Sequence, residues 1–333
     1  MAQLAGTTDT YRIGTAGGMR EDLEDVIWDL FPADTWALTN LDKTDATSTY
    51  HEWQYDSLAG ATANRQIEGD DASFSTLNAP TRIGNYMQIS RKTFLVSGSL
   101  EAVKKAGRKS EAVRNQMKAM RELKRDMEQA ITQNQASSAG GSATGRSTAG
   151  MESWIAGPTT DAGTAGNAVR ATTTANLAST PGFSSGTVAS PTDGSTTGAL
   201  TSTALNSALE GAWTQGGDPS VILTGSKQKQ VIDGFTSIAT RFVNIDRSAQ
   251  AVITGAANVY VSDFGRHTVV LHRYMRSSVV LCVDPSYWSV AYLRTPFMEK
   301  LAKTGDGEKY QIISEFGLVA RNYKSSAKVV ACA

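Results

Sequence analysis

Three histidines, two cysteines, one acidic cluster and one glycine–lysine turn are the places where this chain could do chemistry. The histidines are His51, His267 and His272. His267 and His272 are five apart in a strand-like run. Side chains alternate across a strand, so an odd spacing sends them to opposite faces and they cannot share a zinc ion. No H-E-x-x-H or H-x-E pattern is present. Cys282 and Cys332 are too few for a disulfide framework, lack metal-site spacing and have no histidine near them in sequence. They read as buried, incidental thiols. The segment Leu223–Lys229 (LTGSKQK) holds a glycine and lysines but not the spacing of a phosphate loop. Glu68, Asp70 and Asp71 offer the oxygen ligands that calcium prefers, yet lack the spacing and closing glutamate of an EF-hand, so they read as a solvated acidic loop tip. No G-x-G-x-x-G follows a strand and no G-x-S-x-G elbow exists. No catalytic, cofactor-binding or metal-ligating residue is assigned, no cofactor is expected, and the chain reads as something other than an enzyme.

Composition narrows the class further. The 333 residues carry 32 Lys+Arg against 32 Asp+Glu. A protein that grips DNA phosphates shows a basic excess, and this one shows none. The start MAQLAGTTDTYRIGTAGG has no basic lead followed by an apolar core, so no secretion signal is read. No apolar run approaches the ~20 residues that span a bilayer. A soluble product made in a reducing cytosol is expected.

The elements that would position any such groups follow from hydrophobic period and breakers. Met19–Phe31 is a helix candidate, with Leu23, Val26, Ile27 and Leu30 on one stripe and Pro32 ending it. Thr49–Leu58 and Arg82–Val96 read as strands. In the second, Ile83, Met87, Ile89 and Phe94 mark an apolar face, and Gln88, Ser90 and Lys92 a polar one. A long hairpin is marginal alone in water and must lie on something. Ser99–Ala106 is a short helix stopped by Gly107. Ser110 then caps a helix running to about Gln135, striped by Val113, Met117, Met120, Leu123, Met127 and Ile131, with its basic residues read as a solvated face. At ~1.5 Å per residue this is a rod of roughly 37 Å. Thr159–Ser202 is low in complexity, with few apolar side chains to offset the entropy of ordering. Thr203–Gln215 is a helix with Leu205, Leu209, Ala212 and Trp213 inward. Val221–Leu223, Asn258–Val261, Thr268–His272, Ser278–Val283, Ser289–Leu293, Lys309–Arg321 and Val329-Val330 are strand candidates, and Lys227–Phe235 is a helix. Mixed helices and strands around Thr203–Val283 predict a compact α/β or α+β domain.

Several blocks, in order, resemble one family. They are GMREDLEDVIWDLFPADT (Gly18–Thr35), HEWQYDSLA (His51–Ala59), IEGDDA (Ile67–Ala72), NYMQISRKTFLVSGS (Asn85–Ser99), ELKRDMEQAI (Glu122–Ile131), TAGMESWI (Thr148–Ile155), VYVSDFGRHTVVLHRYM (Val259–Met275) and above all Asp284–Ala327. Together they are similar to the major capsid proteins of tailed bacteriophages. The resemblance implies an α+β, Hong Kong 97-like capsid fold. It would divide into an N-terminal arm (1–48), an extended-loop hairpin (49–96), a spine helix and peripheral domain (97–158), a surface excursion (159–202), an axial domain (203–283) and a return to the peripheral domain (284–333). It implies self-assembly as pentamers and hexamers into an icosahedral shell that encloses double-stranded DNA without sequence-specific binding. The implied partners are copies of the same chain, a portal, and scaffolding or decoration proteins, with no membrane. The implied location is the virion, after assembly in the host bacterial cytoplasm. No long helical segment precedes the arm, so a scaffold would be a separate protein. Another shell-forming protein, such as an encapsulin-like nanocompartment, is the alternative.

Overall fold

The computed structural model describes residues 34–56, 58, 60–71, 74, 79–105, 107–155, 168–170, 183–184, 186–190, 198–235 and 258–333. The expected helix Met19–Phe31 and most of 159–202 lie outside them. In chain order the elements are α1 (Trp36–Asn40), β1 (Asp42–Asp45), β2 (Tyr50–Tyr55), β3 (Thr81–Tyr86), β4 (Gln88–Ser97), α2 (Gly98–Ala102), α3 (Glu111–Thr132) and α4 (Met151–Trp154). Then come β5 (Ala168–Arg170), β6 (Phe183–Ser184), β7 (Thr187–Val188), α5 (Ser202–Thr214), β8 (Val221–Thr224) and α6 (Ser226–Asp233). The chain finishes with β9 (Val259–Ser262), β10 (Gly265–Leu271), β11 (Val280–Val283), β12 (Trp288–Leu301), β13 (Gly307–Ala320) and β14 (Ala327–Val330). The architecture is α+β, as the sequence predicts.

Helix α3 forms where the local signals agree. The Ser110 hydroxyl accepts from the Val113 amide, and Glu111 sits in the first turn, where the helix dipole favours a negative charge. Its stripe is used unevenly. Leu123, Met127 and Ile131 are fully buried, whereas Val113 and Met117 are more than half exposed. The C-terminal turns lie on a four-stranded sheet ordered β1-β12-β13-β4. Gln135 reaches Gln88 at one end of β4, and Lys92 pairs with Asp126 at 2.6 Å further along. The helix therefore runs antiparallel to β4, with the first turns of its stripe left uncovered.

Two strand expectations change. The run Arg82–Val96 is not one strand. It breaks at Met87, so β3 pairs with β2 while β4 pairs with β13. The break resets the alternation. Gln88, expected on a polar outer face, contacts Gln135 next to α3, and Lys92 reaches Asp126 on α3, while Ile89 is exposed on the far side. The other change is β12, which continues past Leu293 to Leu301. Its register shifts between Tyr292 and Phe297, around Pro296. There β1 no longer flanks it, so proline sits in an irregular edge where its missing N–H leaves no ladder bond unmade.

The second sheet has six strands, ordered β5-β14-β11-β8-β10-β9. Leu223, Leu281 and Val283 on one face join the core that includes Leu123, Met127, Trp288 and Phe316. Ile222, Val280 and Cys282 on the other face pack with Leu205, Ala208 and Leu209 of α5. Alternation on a doubly covered sheet thus binds both cores together. Trp213, expected inward on α5, is instead exposed, lying 6.0 Å from the Phe264 ring at the β9–β10 turn. That turn closes through Gly265 at φ +137°, a conformation that only glycine adopts freely.

Candidate assembly surfaces

The groups that could do chemistry are kept apart. His267 is buried, with its ring nitrogens on the Pro219 carbonyl and, at 2.7 Å, on the Ser262 hydroxyl. His272 is buried elsewhere, against Glu128. His51 lies on β2, and partial burial lowers its pKa. Both cysteines are buried and unbridged, and burial pushes the Cys282 thiol up to about 12. Glu68, Asp70 and Asp71 are exposed at the loop tip. Among the described residues no group of three or more His, Cys, Asp or Glu side chains could hold a metal ion. The LTGSKQK segment is the β8–α6 connection, where Gly225 stands at the N-cap without a side-chain bond.

What the fold does build is a set of buried polar junctions between distant segments. Glu128, fully buried on α3, accepts from the amides of Ala37 (2.7 Å) and Leu38 (3.0 Å) in α1. His272 Nε2 lies 2.8 Å from the same carboxylate. Glu152 of α4 binds Arg276 at 2.7 Å, and its carbonyl accepts from the buried Lys328 ammonium at 2.7 Å. Glu315 of β13 holds Arg146 and, at 3.0 Å, Arg294. Buried charges are tolerated because each is hydrogen-bonded, and Glu152 and Glu315 are also paired with arginines. They fix one arrangement of helix, sheet and connector.

The hairpin β2–β3 is rooted in the same way. Trp53 donates its indole N–H to the Ala320 carbonyl at 2.9 Å and lies 5.5 Å from the Trp154 ring. Tyr50 donates to the Gly186 carbonyl at 2.9 Å. Asn85, buried on β3, donates to Thr148 Oγ1 and the Leu318 carbonyl and accepts from the Ala149 amide. The support that a hairpin needs comes from its own subunit at the base. Beyond the base, residues 60–67 carry no secondary structure. There Leu58, Phe74 and Ile67 are 100%, 97% and 79% exposed.

Further apolar side chains stand bare on the body. They include Val113 and Met117 on α3, Leu100 on α2 with Val103 just after it, and Val259 and Val261 on the edge strand β9. Apolar side chains exposed on several elements are candidates for contact with a partner. The sequence signals the stripe on α3 but not its half-exposure, and it gives no sign of the Glu128, Glu152 or Glu315 junctions, whose partners, Arg294 apart, are 90 to 176 residues away.

Comparison with known proteins agrees with this geometry. The chain is 25% identical over 322 residues to a major capsid protein of Escherichia phage Phieco32, covering 88% of each. A capsid chain of cyanophage A-1(L) superposes with a TM-score of 0.67 at 13% identity, covering 97% of this chain and 99% of that one. A chain from the capsid of a native GTA particle superposes with a TM-score of 0.65 at 9% identity, covering 98% and 99%. The fold is therefore the Hong Kong 97-like capsid fold. Since the SU10 major capsid protein family matches residues 4–333, this chain belongs to that family.

Proposed function

We propose that the chain tiles with copies of itself, as pentamers and hexamers, into an icosahedral phage head that encloses double-stranded DNA. The observation that carries this is the family match along residues 4–333. The bare hairpin tip supports it, because a rigidly rooted projection with exposed Leu58, Ile67 and Phe74 fits onto a neighbour better than onto water. The work is mechanical rather than enzymatic. The hairpin overlaps an adjacent subunit, α3 stiffens the peripheral part, and residues 203–283 meet their copies around the capsomer centre. Many modest contacts per subunit hold a shell while each stays reversible enough to correct errors. Balanced charge suits a wall that surrounds DNA without sequence-specific binding. A portal and scaffolding or decoration proteins are the further partners, assembly takes place in the host cytoplasm, and the product is the virion. The relatives are phage capsid proteins, which favours a phage head over a cellular nanocompartment.

Electron microscopy of the purified chain and of a variant lacking residues 60–79 tests the proposal. The parent is expected to form closed shells. The variant, which keeps both hairpin strands, is expected to fold and to fail to form stable shells. Intact heads from the variant refute the overlap role, and a parent that stays monomeric at high concentration refutes the shell itself.

A further inference from the structure

Helix α1 begins without a cap of its own. The Thr35 side chain makes no cap bond, and no acidic residue lies in the first turn. A helix start leaves several N–H groups without intrahelical partners, and a buried start must find acceptors elsewhere. Here both acceptors are the oxygens of one residue on another helix. Glu128 Oε1 takes the Ala37 amide and Oε2 takes the Leu38 amide. A carboxylate that spans two consecutive amides fixes rotation as well as position, as a single bond cannot.

Glu128 is itself aimed. The Tyr274 amide donates to His272 Nδ1 at 3.3 Å, so that nitrogen is the ring's acceptor. The ring hydrogen therefore sits on Nε2 and is donated to Glu128 Oε1 at 2.8 Å. One residue further along, Arg273 holds Asp34 at 3.0 Å. The start of α1 is thus tied to the spine helix and to the end of β10 at once.

We infer that Glu128, oriented by His272, is the positioning residue for helix α1: it sets where and in which direction the chain enters the body at Asp34–Leu38. The inference rests on the proposed shell for its consequence in assembly, but not for its local effect. Glu128→Gln keeps the side-chain volume and replaces one acceptor oxygen by an amide nitrogen. His272→Leu removes the aiming donor, and His272→Gln keeps a donor near the Nε2 position.

The test uses the full chain, free and assembled, with four readouts: hydrogen exchange at the Ala37 and Leu38 amides, trypsin cleavage after Arg20, the distribution of shell diameters, and the unfolding midpoint. Glu128→Gln is expected to speed exchange at one or both amides by about tenfold or more, the loss of a charge-assisted bond. It is also expected to change Arg20 cleavage at least fivefold and to broaden the diameters. His272→Leu is expected to act in the same direction more weakly, and His272→Gln to restore the parent pattern. Parent-like exchange and cleavage in both Glu128→Gln and His272→Leu overturns the inference. So does a lowered midpoint with cleavage and diameters unchanged, which is a purely structural pin. If Glu128→Gln does not fold, His272→Leu decides on the same readouts. A chain lacking residues 2–33 separates the two levels. Normal shells from it sink the consequence for assembly, while exchange and cleavage in the full-length variants still judge Glu128.

Discussion

Replacing Asn85 with alanine probes how firmly the projecting hairpin is fastened to the body. The residue is 1% exposed on β3. Its Nδ2 donates to the Leu318 carbonyl at 2.8 Å and to Thr148 Oγ1 at 2.9 Å, and its Oδ1 accepts from the Ala149 amide at 2.9 Å. Alanine strands the Leu318 carbonyl and the Ala149 amide in a buried site. Each orphaned group costs about 1–3 kcal/mol, so the pair costs about 4 kcal/mol. At about 2.1 cal/mol/K of unfolding entropy per residue, a chain of 333 residues has about 0.7 kcal/mol/K. The expected fall in the melting temperature of the free subunit is then about 6 °C. Calorimetry measures it. The exposed Arg82–Glu52 pair on the same hairpin, 3.8 Å apart, supplies the control, and Arg82→Ala is expected to shift the midpoint by less than about 1 °C. An Asn85→Ala midpoint within about 1 °C of the parent would show that the buried network is not what holds the hairpin root. The reasoning about orphaned groups would then fail with it.

Gly150→Ala should fail more severely: a Cβ there meets the Gln133 carbonyl oxygen at 2.0 Å, a backbone atom that cannot swing aside, so we expect no soluble folded subunit on expression. Cys282 and Cys332 should resist a maleimide at pH 7 until denaturant is added, because both are buried and the Cys282 thiol is pushed up to about 12; rapid labelling of the folded chain contradicts this. Glu308 is held down to about 2, first by the Lys300 ammonium and then by the Tyr310 hydroxyl. A depressed carboxylate contributes its stabilisation above its unfolded value and loses it as pH falls through the folded one. The β12–β13 hairpin tip should therefore keep its hydrogen-exchange protection at pH 4.5 and lose it towards pH 2, more weakly in high salt because the pair is exposed. Loss of protection already at pH 5 counts against the pairing.

How far the sequence disclosed this fold depends on the range of each interaction. The Ser110 cap, the α3 stripe, the β9–β10 turn and the apolar strands near Val280 are written locally, because cap, period and turn chemistry act within a few residues. The break at Met87 is not, because nothing in NYMQISRK interrupts the alternation; it arises where β3 follows β2 and β4 follows β13. Trp213 keeps the right helical spacing for burial, but Ala212 takes the buried position in that turn and Trp213 lies outside, near Phe264. The length of β12 was hidden by Pro296, which usually ends a strand and here sits in an edge irregularity. The junctions at Glu128, Asn85 and Glu152 are the least legible. A glutamate amid a lysine- and arginine-rich helix reads as solvated until the fold brings an amide pair and a histidine to it.

Strand β14 has one more implication. It lies between β5 and β11, and the Gln228 side chain reaches past it to the Ala333 carbonyl. A nascent polypeptide interrupted before residue 327 leaves β11, with Val280 and Cys282, at an open border with no cross-strand neighbour on that side. Such fragments lack a finished scaffold for their second core. The late-arriving strand is therefore a structural keystone: the sheet acquires its continuity from β5 to β11 only once residues 327–330 are seated between them.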